Sequence, residues 1–511
     1  MKKFDSSEKI KDFDELVNIV RELKKNKKKV ILSHGVFDLM HPGHIRHFES
    51  AKNKADILIV TITKDEYVNK GPGRPVFNQR LRAESVAALE CVDYVAVNKW
   101  PTAVETIMRL KPHLYVKGSD YSKKEDDLTG KIFEEENAVR SVGGELVFTE
   151  DIMFSSSTLL NRHFSIYPKE TDEFLRKFKK KYSSDYVIDV LRKLHNLRVL
   201  VIGDIIIDEY AYCVGMGKPA KDDIISTRYI KEEKYTGGIL AISKHVANFC
   251  RDVHIVSTIG TQNNYESFIK KNLLPNISHK FFYRDDVPTV VKKRYLNPSF
   301  MNKTFEINFI DDKVLPGGIS GKVEEYIKKV TGDYDLVITA DFGHGFINSD
   351  IVNAIVRRSK YLAVNTQVNS ANMGYNFITK YPHADYVCID EPEIRLAMRD
   401  KFGKIENLIL SVGRKLKCPR IIVTRGHNGA MVYEKGTGFT SIPVFSKEIV
   451  DRVGAGDAFL SVTACVAAKG FPLDLVGFVG NAVGALAVLV VGNKTPVEPV
   501  PLFKFIKTLL K

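Results

Sequence analysis

Apolar runs alternate with amphipathic stretches along most of this chain, and the alternation is interrupted once. From Val30 to about Phe148, the segments VILSHG, DILIVTIT, DYVAV, LYVKG and ELVFT read as buried strands separated by helical patterns. That is the signature of a parallel sheet with crossover helices. Between Arg162 and about Asn196 the strand signals stop and a Lys/Glu-rich amphipathic segment takes over. At Arg198 a new strand starts in RVLVIGDIIID, and alternation resumes through DLVITADFG, YLAVNT, DYVCID and RIIVTRG. The pattern predicts an α/β protein of two domains, 1–165 and 197–511, joined by a helical connector over 166–196. In such sheets ligands collect beyond the carboxyl ends of the strands, where phosphates meet helix N-termini.

Composition narrows the setting. A chain of 511 residues with 44% apolar and 27% charged residues folds throughout and is long for a single core. The N-terminal MKKFDSSEKIKDFDELVNIV patterns as an amphipathic helix and lacks the apolar core of a signal peptide. The most apolar stretch, Val476 to Val491, is broken by Gly477, Gly480, Asn481 and Gly484 and is short against the roughly 20 residues of a bilayer span. A buried helix is expected there, with no membrane partner. The formal charge of +14 comes largely from lysine runs such as Lys27 to Lys29 and Lys179 to Lys181. These read as solvated helix faces and a general attraction for phosphorylated substrates, because no nucleic-acid module accompanies them. Six cysteines without CxxC spacing suggest neither a zinc site nor a disulfide framework and fit a reducing cytoplasm. A homo-oligomer stays open.

Two segments carry chemistry. The strand VILSH runs into Gly35-Val36-Phe37-Asp38-Leu39-Met40-His41-Pro42-Gly43-His44 and then into a helical pattern. A glycine turn at the end of a strand lets backbone N–H groups approach a triphosphate, and His41 and His44, three apart, can face the same phosphates from the first helical turn. The other readings of the two histidines are a zinc pair, which lacks a third ligand, and a helix cap. Near the other end, Val453-Gly454-Ala455-Gly456-Asp457 leads into an apolar helix. Its glycines and alanine form a nest of N–H groups for a phosphoryl oxygen, with Asp457 placed to accept a proton from an attacking hydroxyl. Taken alone, this stretch is equally a glycine-rich helix start with an acidic cap.

GVFDLMHPGH resembles the GxFDxxHxGH signature of the cytidylyltransferase-like nucleotidylyltransferases, which implies a Rossmann-like first domain. Further motifs follow in order. Lys70-Gly71-Pro72-Gly73-Arg74 and then Arg82 resemble the segment that holds phosphates in that superfamily, and Val116-Lys117-Gly118-Ser119-Asp120-Tyr121 resembles the VKGxDY stretch of heptose-1-phosphate adenylyltransferases. Ser155, Ser156 and Ser157 are similar to the STT segment before the last helix, with serine where threonine is usual at two positions. The resemblance implies nucleotide contacts at Gly35, Phe37, Asp38, Lys70, Arg82, Lys117 and Ser155 to Ser157, and a sugar contact at Asp120. HxGH also occurs in class I aminoacyl-tRNA synthetases, but a KMSKS-like loop and an anticodon-binding domain are lacking.

The second half is similar to the ribokinase-like (PfkB) carbohydrate kinases over roughly 197–500. The resemblance implies sugar contacts at Asp204, Asp208, Gly237, Gly238 and Lys292. It places nucleotide at Thr424, Gly426, Gly429, Gly454, Ala455, Gly456 and Asn481, with Asp457 catalytic. Three departures stand out. Ala241 stands where these kinases carry an asparagine, Asp390-Glu391-Pro392-Glu393 replaces NxxE, and Asn365-Thr366-Gln367 replaces DPK. Aspartate still serves a hard, oxygen-loving cation, so Asp390 and Glu393 are expected at magnesium. Together the halves resemble the bifunctional heptose-7-phosphate kinase/heptose-1-phosphate adenylyltransferases with the domain order reversed. This implies a kinase and a nucleotidylyltransferase acting on sugar phosphates and nucleotides, with Mg2+ in both and ATP favoured. The competing readings are a CTP-dependent transferase making a CDP-sugar or CDP-polyol, and a kinase-like half that only binds sugar and regulates the other.

Overall fold

The computed structural model describes residues 5–118, 131–149 and 167–511, apart from 222, 300, 371 and 447. It divides into two compact units, 1–172 together with 503–511, and 173–502. In the first unit the five apolar runs form a parallel sheet: β1 (Val30–Gly35), β2 (Ile57–Ile62), β3 (Tyr94–Val97), β4 (Leu114–Gly118) and β5 (Glu145–Thr149). The order is β3-β2-β1-β4-β5, so the chain reverses its direction of travel between β1 and β4. Both faces of β1 are covered: Ile31 packs with Phe48 and Val86 on one side, Val30 and Leu32 with Leu16 and Ile107 on the other. Burial on both faces is why the strand reads as a continuous apolar run. The break between β1 and β4 opens a crevice at the carboxyl end of β1, where the GVFDLMHPGH segment begins.

The second unit holds two sheets. Its strands are β6 (Arg198–Gly203), β7 (Ile205–Gly217), β8 (Ser226–Gly238), β9 (Asp252–Gly260), β10 (Ile277–Arg284), β11 (Val290–Asn297), β12 (Asn302–Phe309) and β13 (Leu336–Asp341). They continue with β14 (Leu362–Thr366), β15 (Tyr386–Asp390), β16 (Arg420–Thr424), β17 (Ala430–Glu434) and β18 (Gly438–Ile442). The large sheet runs β10-β9-β6-β13-β14-β15-β16-β17-β18, parallel up to β16 and antiparallel beyond. The four-stranded sheet β12-β11-β7-β8 stands apart from it.

RVLVIGDIIID is therefore two strands, β6 in the core sheet and β7 in the smaller one, parted at Asp204. The close approach of backbones explains the glycine before the break, since a Cβ on Gly203 would lie 1.9 Å from the Ala340 carbonyl oxygen. The 166–196 stretch, where described, forms the helices Lys169–Lys181 and Ser184–Arg192. From residue 173 on this stretch belongs to the second unit, where Phe178 stacks on Phe478 at 4.2 Å between ring centroids and the Tyr182 hydroxyl donates to Asp474. The apolar run from Val476 lies in the buried helix Leu473–Ala487 as far as Ala487 and leaves it before Val491. Among the described residues no helix is long and apolar enough to cross a membrane.

Candidate active sites

In the first unit, β1 ends at Gly35 and the chain turns through Phe37, whose positive φ of 49° seats its ring in the core. That ring lies edge-on to His44, with centroids 5.4 Å apart, and packs on Phe48. His41 caps the helix Pro42–Lys52, its Nδ1 accepting from the Gly43 N–H at 3.1 Å. Because Nδ1 accepts, a neutral His41 carries its proton on Nε2. Among the described residues that buried atom has no hydrogen-bond partner, and neither has Nδ1 of His44. The two rings stack at 3.8 Å. Burial holds both below the ordinary histidine range, His44 at about 3 with His41 and Lys70 adding to the effect. Two neutral imidazoles with unsatisfied buried nitrogens are therefore held side by side at the start of a helix. Such groups suit an incoming phosphate, since an unpaired buried polar atom is costly until a ligand satisfies it.

The other expected residues divide between site and scaffold. Asp38 is buried, accepts from the Phe77 N–H and lies 3.5 Å from the Arg74 guanidinium. Lys70 is pulled down to about 8 by burial, against the attraction of Asp38. Arg82 has protein partners on every side. It is 1% exposed and donates to the carbonyls of Val36, Thr63 and Phe77 and to Asp65, so it ties the loops after β1 and β2 together. Lys117 pairs with Glu135 at 2.8 Å. Asp120 and Ser155 to Ser157 lie outside the described residues.

The second site is a cavity of about 340 Å³. Asp208, Gly238 and Lys292 line it from the small sheet, Asp390 and Thr424 from the large one, Glu393 from the helix that follows Asp390, and Gly454, Gly456 and Asp457 from the glycine nest. Gly454 has a φ of +82°, and a Cβ there would fall 1.9 Å from the Asn493 side-chain oxygen, so only glycine fits. Asp457 follows in the first turn of the helix Ala455–Ala468. Burial and the Asp208 charge push it up to about 6, while Gln367 and Lys292 pull it down. Gln367 donates to its Oδ1 at 2.6 Å. Asp208 pairs with Arg294, and Gly237 gives it room, since a Cβ there would sit 2.2 Å from Asp208 Oδ2.

Asp390 and Glu393 form a capping box at the helix Glu391–Met398, each accepting the other's backbone N–H. Burial and the neighbouring Asp390 push Glu393 well above the usual carboxylate range. Two crowded carboxylates of this kind gain from a nearby cation.

Other residues expected at ligands also have partners in the backbone. Asp204 accepts from the Phe342 and His344 amides and so orders the turn after β13. Asn481 donates to the carbonyls of Ile442 and Pro443. Gly429 lets the same carbonyl of Ile442 approach, as a Cβ there would be 2.0 Å from it. Ala455 opens the Asp457 helix, and Gly426 opens the short turn after β16.

Comparison with known proteins finds a family for each of the two units. Residues 32–163 match the cytidylyltransferase-like family, and residues 362–499 match the pfkB family carbohydrate kinases. The chain joins a cytidylyltransferase-like domain to a pfkB-family domain. "Bifunctional protein HldE" of Aliarcobacter butzleri is 38% identical over 146 residues, 28% of this chain and 30% of that protein. The HldE of Sulfurimonas denitrificans is 43% identical over 117 residues, 22% and 24% of the two chains. That of Geobacter metallireducens is 34% identical over 169 residues, 32% and 33%. Each match thus spans about a third or less of the curated relative, and they fall in the N-terminal half here. Phosphofructokinase-2 of Escherichia coli superposes on 62% of this chain and all of its own length, with a TM-score of 0.50 and 13% identity. At that identity it establishes the fold of the pfkB-family domain alone.

Within this domain Gln367 acquires a meaning that its sequence position lacks. It appears in the sequence only as a departure from DPK, yet it is hydrogen-bonded to the candidate base. Nothing in local spacing links residues 90 apart.

Proposed function

We propose that this chain is a bifunctional sugar-nucleotide enzyme. The pfkB-family domain phosphorylates the anomeric hydroxyl of a sugar or sugar phosphate. The cytidylyltransferase-like domain joins the resulting sugar-1-phosphate to a nucleotide, with ATP favoured, and releases pyrophosphate. The observation that carries the reading is the convergence of Asp457, Lys292 and the Gly454 nest on one cavity. Intact phosphate-transfer geometry argues for catalysis over simple sugar binding.

In the kinase step Asp457 takes the proton from the acceptor hydroxyl. The oxygen attacks the γ-phosphorus, the bond to the bridging oxygen breaks, and ADP leaves. Amides of the 454–456 turn and Lys292 meet the charge on the transferred phosphoryl group. Asp390 and Glu393 would hold a magnesium ion, which neutralises phosphate charge when bound. In the transferase step an oxygen of the sugar-1-phosphate attacks the α-phosphorus, and pyrophosphate departs. The N–H of His41 Nε2 and the imidazole of His44 stabilise the charge that develops there. Positioned donors do most of the work in such transfers.

The direct test is mass spectrometry of products after offering each of the four nucleoside triphosphates with a panel of sugars and sugar phosphates. A nucleotide-linked sugar formed from one triphosphate, with ADP produced in the kinase step, is the expected result. Exclusive use of CTP would move the transferase to the CDP class, and absence of ADP with every acceptor would leave the second domain a binding module.

Two further results are expected. The base must be ionised to act, so kinase kcat/KM should rise with pH through about 6 and level off above. Gln367→Leu removes a hydrogen bond that favours the charged form, so the midpoint should move to higher pH. A profile unchanged in this variant would show that the contact does not tune the base.

The acceptor end also differs from the family pattern. Asn365 and Gln367 line the cavity, and Ala241 is packed within the helix Ile239–Ala247. A polar site with changed partners leaves hydroxyls of the old substrate unpaired. Heptose 7-phosphate is therefore not expected to give the highest kcat/KM among acceptors compared side by side. Finding it the best acceptor would count against an altered pocket.

A further inference from the structure

Residues 503–511 group with the first unit, although the whole of the second unit separates them from it along the chain. Phe505 is fully buried, and its ring lies against Gly71 in the Lys70-Gly71-Pro72-Gly73-Arg74 turn. A Cβ at Gly71 would fall 2.0 Å from that ring, and Gly71 has a φ of +90°, so the turn and the aromatic ring are fitted to each other. The same segment brings charge. Lys504 and Lys511 join Arg74 in acting on the Lys70 ammonium, while the Asp38 carboxylate acts in the opposite direction. Lys70 in turn acts on His44, so this group of cations borders the histidine pair. Among the described residues His41 Nε2 and His44 Nδ1 are buried there without hydrogen-bond partners. Four cations, Lys70, Arg74, Lys504 and Lys511, thus act near one carboxylate, Asp38, and such an excess of positive charge attracts a polyanion.

We propose that the segment 503–511 completes the polyphosphate site of the cytidylyltransferase-like domain. In this arrangement Phe505 braces the Gly71 turn, while Lys504 and Lys511 attract the triphosphate of the incoming nucleotide and the departing pyrophosphate. The inference rests on the transferase reading given above. It makes the two lysines binding residues for a nucleoside triphosphate, supplied from the far end of the chain.

The test uses the full chain carrying Lys504→Glu and Lys511→Glu together, with Lys504→Arg and Lys511→Arg together as the conservative pair. KM for the nucleoside triphosphate is read from pyrophosphate release, and product inhibition is read with inorganic pyrophosphate as the probe. Charge reversal should raise both KM and the inhibition constant about tenfold at low salt, with a smaller difference at high salt, because screening shortens the reach of the added charges. The arginine pair should stay within about twofold of the parent, since the charge is kept. Thermal melting reports on folding. If the reversed pair melts early, the neutral pair Lys504→Ala and Lys511→Ala takes its place, with about a threefold effect expected. A folded variant with parental KM and parental pyrophosphate inhibition overturns the inference while leaving the transferase reading intact. A parent chain that forms no nucleotide-linked sugar with any of the four triphosphates overturns the reading itself.

Discussion

Asp457→Asn lowers ADP formation by at least the roughly hundredfold typical of losing a general base, while nucleotide still binds and pyrophosphate release by the first domain is unchanged. The substitution isolates chemistry from shape. An asparagine at this position would keep the volume of the buried side chain, and its amide oxygen can still accept from the Gln367 side chain that now donates to Oδ1. What it cannot do is take up the proton of an attacking hydroxyl. Asp457 is well suited to that task because burial and the Asp208 charge bring it to about 6, close enough to neutrality to be ionised at rest and still accept a proton. The measurement is a pair of assays on one purified variant, ADP formation with acceptor and pyrophosphate release with a sugar-1-phosphate. Unimpaired ADP formation would place the base elsewhere. Loss of both activities would point to misfolding or to coupled domains.

His44→Ala should cut nucleotidyl transfer by roughly a hundred- to a thousandfold, mainly in kcat, as removal of one preorganised donor does. The kinase should keep its rate. The ring is half-buried, stacked on His41 and edge-on to Phe37, so alanine also leaves a gap and a lower melting temperature is expected. His44→Gln separates the two effects, because it fills part of the space and retains an N–H donor. A rate closer to the parent for glutamine than for alanine supports a donor role. Near-normal transfer by the alanine variant would remove His44 from the mechanism.

Much of the scaffold was legible in the sequence for a plain reason. Strands buried on both faces must be apolar almost throughout, so VILSHG, DILIVTIT and LYVKG announce β1, β2 and β4 without reference to anything distant. The glycine turn, the HxGH pair and the GAGD nest are local devices as well. Their function depends on backbone shape within a few residues, as Gly454 shows with its positive φ. Two α/β halves, a histidine pair at a strand end and an acidic group beside an anion nest therefore follow from the sequence by itself.

Only the tertiary structure decided what each polar side chain does. The partners of a buried polar group are whichever groups the fold brings within about 3 Å, and a desolvated donor must take them. Arg82 satisfies its guanidinium on loop carbonyls and Asp65, Asp204 accepts two amides beyond β13, and Asn481 holds the strand end at Ile442. The family resemblance places the same three at ligands, and it carries no record of these protein partners. The reverse holds for Gln367 and for Lys504 and Lys511, which carry no signature of their own. Gln367 reaches Asp457 because the ends of β14 and the glycine nest face one cavity, and the two lysines act on Lys70 because Phe505 packs on Gly71. Periodicity records which face of an element is buried, whereas a hydrogen bond or a charge acts across space between elements that the chain order does not place together.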